Sequence, residues 1–204
     1  MRLQDLRAPE TPATRAALEL ATACHTPALL NHVLRSWLWA EAFALLEDRH
    51  GVDHELLRTA AVLHDIGLVE AYDNVALSYE EAGGQVAVAL TAGAGWPAER
   101  RRRALEVVVR HNWPSVDPAV DVEGHLLEVA TGLDISGARP DALPDDLVDA
   151  VLTRHPRLTL AEEFGRQVSD QAARKPGTAA RRLVDGGLLS KLAHHPHEGR
   201  AAAR

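Results

Sequence analysis

The sequence predicts an all-α protein, folded as a helical bundle. Apolar residues recur at three- and four-residue spacing over most of the chain, and helix-capping residues stand where those stretches begin. No stretch sustains period-two alternation, and no Asn-Gly or Asp-Gly pair separates two β-rich runs. Thr26-Pro27 reads as an N-cap with proline at the first helical position. Behind it Leu29, Leu30, Val33, Leu34, Trp37 and Leu38 trace one long helix to about Arg49, closed by Gly51. Asp53 caps the next, with Leu56, Leu57, Ala60, Ala61 and Leu63 on its apolar face and Gly67 as its C′ residue. Ser78-Tyr79-Glu80-Glu81 and Thr159-Leu160-Ala161-Glu162 are capping boxes that open two more.

Pro97 with Glu99 starts a helix that carries Leu105 and Val107 to Val109 and stops near Pro114. Three valines alone would also suit a strand, but the frame around them is helical. A further helix runs from about Glu123 through Leu126, Leu127, Val129, Ala130 and Leu133. One more opens at Pro144-Asp145-Asp146 and ends before Pro156. No fixed-period repeat is present. The division expected is an N-terminal segment over 1–20, one domain over 21–193 and a disordered tail over 194–204. Residues 1–14 look loosely held as well.

Composition narrows the function. The chain has 204 residues and a formal net charge of −7, which gives no general attraction to nucleic acid or an anionic membrane. The four arginines at 100–103 read as a solvated helix face. With one cysteine, Cys24, no internal disulfide can form, and that residue reads as a small buried hydrophobe. No window is apolar enough for a membrane span, and the first residues lack a signal-peptide h-region. The expectation is a cytoplasmic protein acting on a small molecule, with room for a homo-oligomer. No phosphate-binding glycine loop is present, since Gly83-Gly84 lacks the third glycine and the preceding strand.

The chemistry resides in histidines and aspartates. His32 sits on the first long helix, His64-Asp65 at the end of the second, and Asp134 near the end of the Glu123 helix. Two imidazoles and two carboxylates brought together make a site for a divalent first-row metal such as zinc, iron or manganese. Taken singly, each has a structural alternative: a satisfied helical histidine, a turn aspartate, a cap.

The order His32, then Leu-His-Asp-Ile-Gly at 63–67, then Asp134, resembles the H…HD…D signature of the HD-domain superfamily of metal-dependent hydrolases. Asn31-His32, Glu80 to Gly84, Val109-Arg110-His111 and the stretch from Glu123 to Gly137 resemble its cyanamide hydratase-like branch. The resemblance implies one metal, zinc foremost, held by His32, His64, Asp65 and Asp134. It also implies water or hydroxide on that metal attacking a small electrophile, most simply a C≡N group. The alternatives are a phosphohydrolase of a nucleotide or small phosphoester and, more weakly, a ligand-binding module without turnover. Several branches are disfavoured. Leu68 stands where the nucleotide 5′-phosphatases carry glutamate, residues 64–69 lack the HD-x-x-E-D run of alarmone hydrolases, and no histidine between 66 and 110 supplies a second iron.

Around those ligands, His111 is a candidate proton carrier, and Glu80 a candidate general base beside Glu70, Asp73 and Glu81. Asn31 and Ser36 are candidates for substrate binding. Arg35 and Arg110 are the cations near the motif. Trp37 and Trp39 lie on opposite sides of one helix, one for the core and one for a pocket or interface. The tail run His194-His195-Pro196-His197 is expected to have no part in the site.

Overall fold

The structure, a computed structural model, describes residues 1–200. Ten α-helices build it: α1 Pro12–Cys24, α2 Pro27–Leu46, α3 His54–Leu63, α4 Tyr79–Gly93, α5 Ala98–Arg110, α6 Val122–Ser136, α7 Asp145–Arg154, α8 Leu160–Arg174, α9 Ala179–Asp185 and α10 Leu188–Ala193. The described residues contain no strand, and Val107 to Val109 lie inside α5. None of the helices is long and apolar enough to cross a membrane.

Half of the starts obey the capping chemistry. Thr26 Oγ1 accepts from Leu29 N with Pro27 at the first position of α2. Asp53 and Asp121 accept from the amides of Leu56 and Gly124, and Ser78 and Glu81 form the reciprocal box at α4. Each such cap is worth about 1 kcal/mol. The box expected at Thr159 does not form. That hydroxyl bonds Glu163 instead, and the other oxygen of Glu163 accepts from Thr26 Oγ1 at 2.6 Å, tying α8 to the start of α2.

Helix α2 is the axis of the molecule. Fourteen of its side chains are buried, including both Trp37 and Trp39, so neither tryptophan is left for a pocket or interface. It packs on α3 and α6, while α4 pairs with α5, and α8 with α9. One apolar cluster joins α1 to α7. A second gathers Phe164 and Val168 of α8 and Leu188 and Leu192 of α10 with Leu29, Leu68, Tyr79 and Ile135. A cleft at the junction with this second cluster holds the site.

Four boundaries differ from expectation. Helix α2 stops at Leu46, where Asp48 turns to φ 51°. Helix α3 stops at Leu63, before the His-Asp pair. The N-terminal residues are not loose: Leu6 is buried, and the alanine face of α1 (Ala13, Ala17, Ala21) seats against α3. Alanines pack closely while giving little hydrophobic signal in sequence. At the other end, the loose tail expected from 194 is instead packed to residue 200. His195 and His197 are buried, and His195 Nε2 lies 3.0 Å from Leu133 O. Residues 201–204 of that expected tail lie outside the described residues. Cys24 is only partly buried.

Candidate metal centre

Three elements deliver the site. Helix α2 supplies His32. The end of α3 supplies His64 as its C-cap and Asp65 just beyond, at φ −105°, ψ 7°, before a 3-10 turn over Ile66–Leu68. This tightening turn lets two consecutive side chains face the same point, which a continued α-helix would set about 100° apart. The residue after α5 supplies His111.

His32 Nε2 lies 3.1 Å from His64 Nε2 and 3.1 Å from Asp65 Oδ2, and His64 Nε2 is 3.3 Å from the same oxygen. All three side chains are essentially inaccessible to solvent. Each imidazole has its other nitrogen fixed. His64 Nδ1 donates to Ala61 O at 2.7 Å, and His32 Nδ1 donates to Asp134 Oδ2 at 2.7 Å. A carbonyl and a carboxylate can only accept, so both rings, when neutral, aim Nε2 lone pairs inward. Two lone pairs and a carboxylate directed at one point repel one another. Asp65 makes this sharper, because neither of its buried oxygens has a hydrogen-bond partner. Such a set is costly to bury unless positive charge sits among its members. The donor chemistry therefore fits a divalent cation, and His32, His64 and Asp65 are the residues able to hold it.

The electrostatics agree. Burial would raise the Asp65 carboxyl, but the facing imidazoles of His64 and His32 outweigh it and hold it well below the ordinary range. Burial likewise opposes the charged form of His32, and the carboxylates of Asp134 and Asp65 overcome it, raising the ring above its usual value.

Asp134 does not join the three. It stands behind His32, with Oδ1 accepting from Arg35 Nε and Trp39 Nε1 at 2.8 Å each, and Oδ2 from Arg35 Nη2 and His32 Nδ1. Arg35 is itself wholly buried and spends its remaining donor on the carbonyls of His155 and Pro156. Burial pushes the Asp134 carboxyl up, yet Arg35 and His32 keep it well below the usual range. His32, Arg35, Ser36 and Trp39 recur at i, i+3, i+4 and i+7, so a polar stripe of α2 faces α6. Arg35 and Trp39 have their role only as partners of Asp134, and the polar stripe inside an otherwise apolar helix is their one signal in the sequence.

His111 stands on the open side. Its Nδ1 donates to Val108 O, leaving Nε2 free at 3.9 Å from Asp65 Oδ1. Burial, with His64 nearby, lowers its pKa to about 3, so the ring is neutral. The other sequence candidates lie elsewhere. Asn31 donates to Pro156 O, and Ser36 sits beneath the His32 ring, 3.4 Å from Nδ1. Glu80 is buried with its carboxyl raised, chiefly by burial, but it does not line the cavity. Asp73 is tied to Gln171 and Lys175, and Glu81 to its cap, while Glu70 is exposed. Arg110 pairs with Asp121, and Arg100 and Arg103 of the arginine run pair with acids rather than facing water alone. His125, the next histidine along the chain, pairs with Glu47.

In front of the three groups opens a cavity of about 280 Å³. Phe164, Ile135 and Leu188 form its apolar wall, and Asn112 and Thr131 its polar one.

Comparison with known proteins decides the family. The HD domain model matches residues 29–130, half the chain, and spans His32, the His64-Asp65 pair and His111. The chain belongs to the HD-domain family. Two cyanamide hydratases of Saccharomyces cerevisiae, DDI2 and DDI3, are each 28% identical to this HD protein over 173 residues, covering 82% of its length and 76% of theirs. The HD chain is thus a metal-dependent enzyme of the hydrolase or hydro-lyase kind, and it carries a His-His-Asp cluster able to hold a divalent metal ion.

Proposed function

We propose that this enzyme adds water to a C≡N group, as a cyanamide hydratase-like hydro-lyase, with zinc held by His32, His64 and Asp65. One observation carries the reading: three buried donor atoms about 3 Å apart, with the Asp65 oxygens unpartnered, beside a cavity whose apolar wall suits an uncharged reacting group. Two imidazoles and one carboxylate are a donor set that would hold catalytic zinc while leaving room for water. A cation there supplies a Lewis acid that brings the pKa of water from ~15.7 towards ~7.

The chain's own residues do the rest. Asp134 fixes the tautomer and aim of His32 through Nδ1, a role that supports metal affinity from behind the ligand. His111, neutral and with Nε2 open to the cavity, accepts a hydrogen bond from water and orients it. Asn112 gives one amide hydrogen to the Tyr79 hydroxyl at 2.6 Å and keeps the other for negative charge developing on the nitrile nitrogen. Phe164 and Leu188 exclude bulk water. Arg35 and Arg110, the cations near the motif, are committed to Asp134 and Asp121 and offer no free charge to a phosphoester at the centre.

The test couples metal analysis to conversion of cyanamide into urea. His64→Ala and Asp65→Ala should each strip the metal and abolish turnover. His111→Ala should keep the metal while slowing the reaction at least tenfold. Full metal content in either ligand variant overturns the ligand set. Metal-loaded wild type that splits a phosphodiester but ignores cyanamide transfers the site to the phosphohydrolases.

A further inference from the structure

The cavity is too large for cyanamide alone. At about 30 Å³ for each water-sized group, its 280 Å³ accommodates roughly nine such groups. One wall of it is supplied by α9, Gly186 and α10, through Arg182, Leu183, Gly186, Leu188 and Lys191, with Gly187 at φ 79° turning the chain between the two helices. This wall falls beyond the residues shared with the HD model. It carries two exposed cations into the lining, Arg182 and Lys191. Arg181, the neighbour of Arg182, pairs with Asp185. Among the described residues, Arg182 and Lys191 themselves have no ion-pair partner; Arg182 senses the buried Glu80 only through space. Besides Asp65, the acid in the same lining is Glu128, and burial raises its carboxyl towards the neutral form.

We infer that Arg182 and Lys191 are specificity residues that select a substrate with an apolar body and an oxyanion, carboxylate or phosphate, at the end remote from the reacting carbon. The inference rests on the C≡N hydration reading for what happens at the metal. It differs from a phosphohydrolase, whose anion would sit at the metal rather than at the mouth. Phe164, Ile135 and Leu188 hold the body between the two ends, and the guanidinium and ammonium groups fix the anion by charge and by multiple donors.

The experiment reads binding, not turnover. Calorimetry would compare phenylacetate with its uncharged isostere phenylacetamide, and with phenyl phosphate, on metal-loaded and on chelator-treated protein. In wild type, at least one of the two anions should bind tenfold or more tightly than the amide, with and without metal, and the advantage should shrink as salt rises. Which anion binds better identifies the oxyanion. In the Arg182→Ala/Lys191→Ala double variant the ratio should fall to about one, and Arg182→Lys should retain part of it. Arg15→Ala, an exposed arginine on α1, should leave it unchanged. A ratio near one in wild type overturns the inference. So does a ratio that survives the double variant or exists only with metal, since the anion then sits on the ion. Failure to hydrate cyanamide would leave the ratio intact, so the two readings fail separately.

Discussion

At the scale of single residues, three histidines share one device. His32, His64 and His111 each spend Nδ1 on an oxygen of the protein, and each thereby presents Nε2 to the same small volume. For His32 that oxygen belongs to Asp134, whose charge is in turn matched by fully buried Arg35. Removing one member of a buried pair leaves the other uncompensated, at a cost of about 3–5 kcal/mol. Asp134→Asn should therefore lower stability by that amount in chelator-treated protein, measured by urea unfolding, and weaken metal binding 10- to 100-fold by freeing the His32 ring. If metal-free stability is unchanged, Asp134 acts only on the metal and the Arg35 argument falls. The His-Asp pair and His32 were legible in sequence because their order is a signature. The roles of Arg35 and Trp39 were not, because the partner that gives them meaning lies 99 and 95 positions away.

At the scale of elements, the His64-Asp65 turn is held from outside by α4. Gly67 reads in sequence as a helix C′ residue, but α3 has already ended at Leu63 and Gly67 has no left-handed backbone. Its work is proximity: a Cβ there would fall inside the backbone carbonyl of Tyr79, at the first turn of α4. Gly83 repeats the motif one turn on, where a Cβ would stand 3.1 Å from His64 O. Gly67→Ala should cost about 1–3 kcal/mol, the usual range for overpacking, and disturb metal affinity through the turn. Gly93→Ala at the far end of the same helix, with nothing within 4 Å, should be close to neutral. Equal urea midpoints for the two variants would show that α4 does not brace the turn. Caps at Thr26, Asp53 and Ser78 were readable because capping is local chemistry. Helices α1, α9 and α10 escaped because their faces are small or short and acquire meaning only against neighbours.

At the scale of the molecule, the composition of the C-terminal residues suggested a loose tail, yet they close over the end of α6. Pro196 lies against Gly137, Arg157 joins Glu198 to the Asp134 carbonyl, and Arg200 pairs with Asp145 and Asp149. Packing buries His195 there, and His25 at the end of α1 is buried with neither ring nitrogen hydrogen-bonded. Burial lowers both rings to about 4, from an unfolded value near 6.5. Between those values the unfolded chain binds protons that the folded one refuses, so stability is complete above about pH 6.5 and falls as acid is added, down to about pH 4. Each ring contributes a slope of at most about 1.4 kcal/mol per pH unit. Urea unfolding of chelated protein from pH 7 to 5 should show that decline. His195→Gln should remove one proton's worth of slope while leaving the His25 share in place. A slope identical in wild type and variant would mean that His195 titrates freely and that the C-terminal segment is not closed in solution.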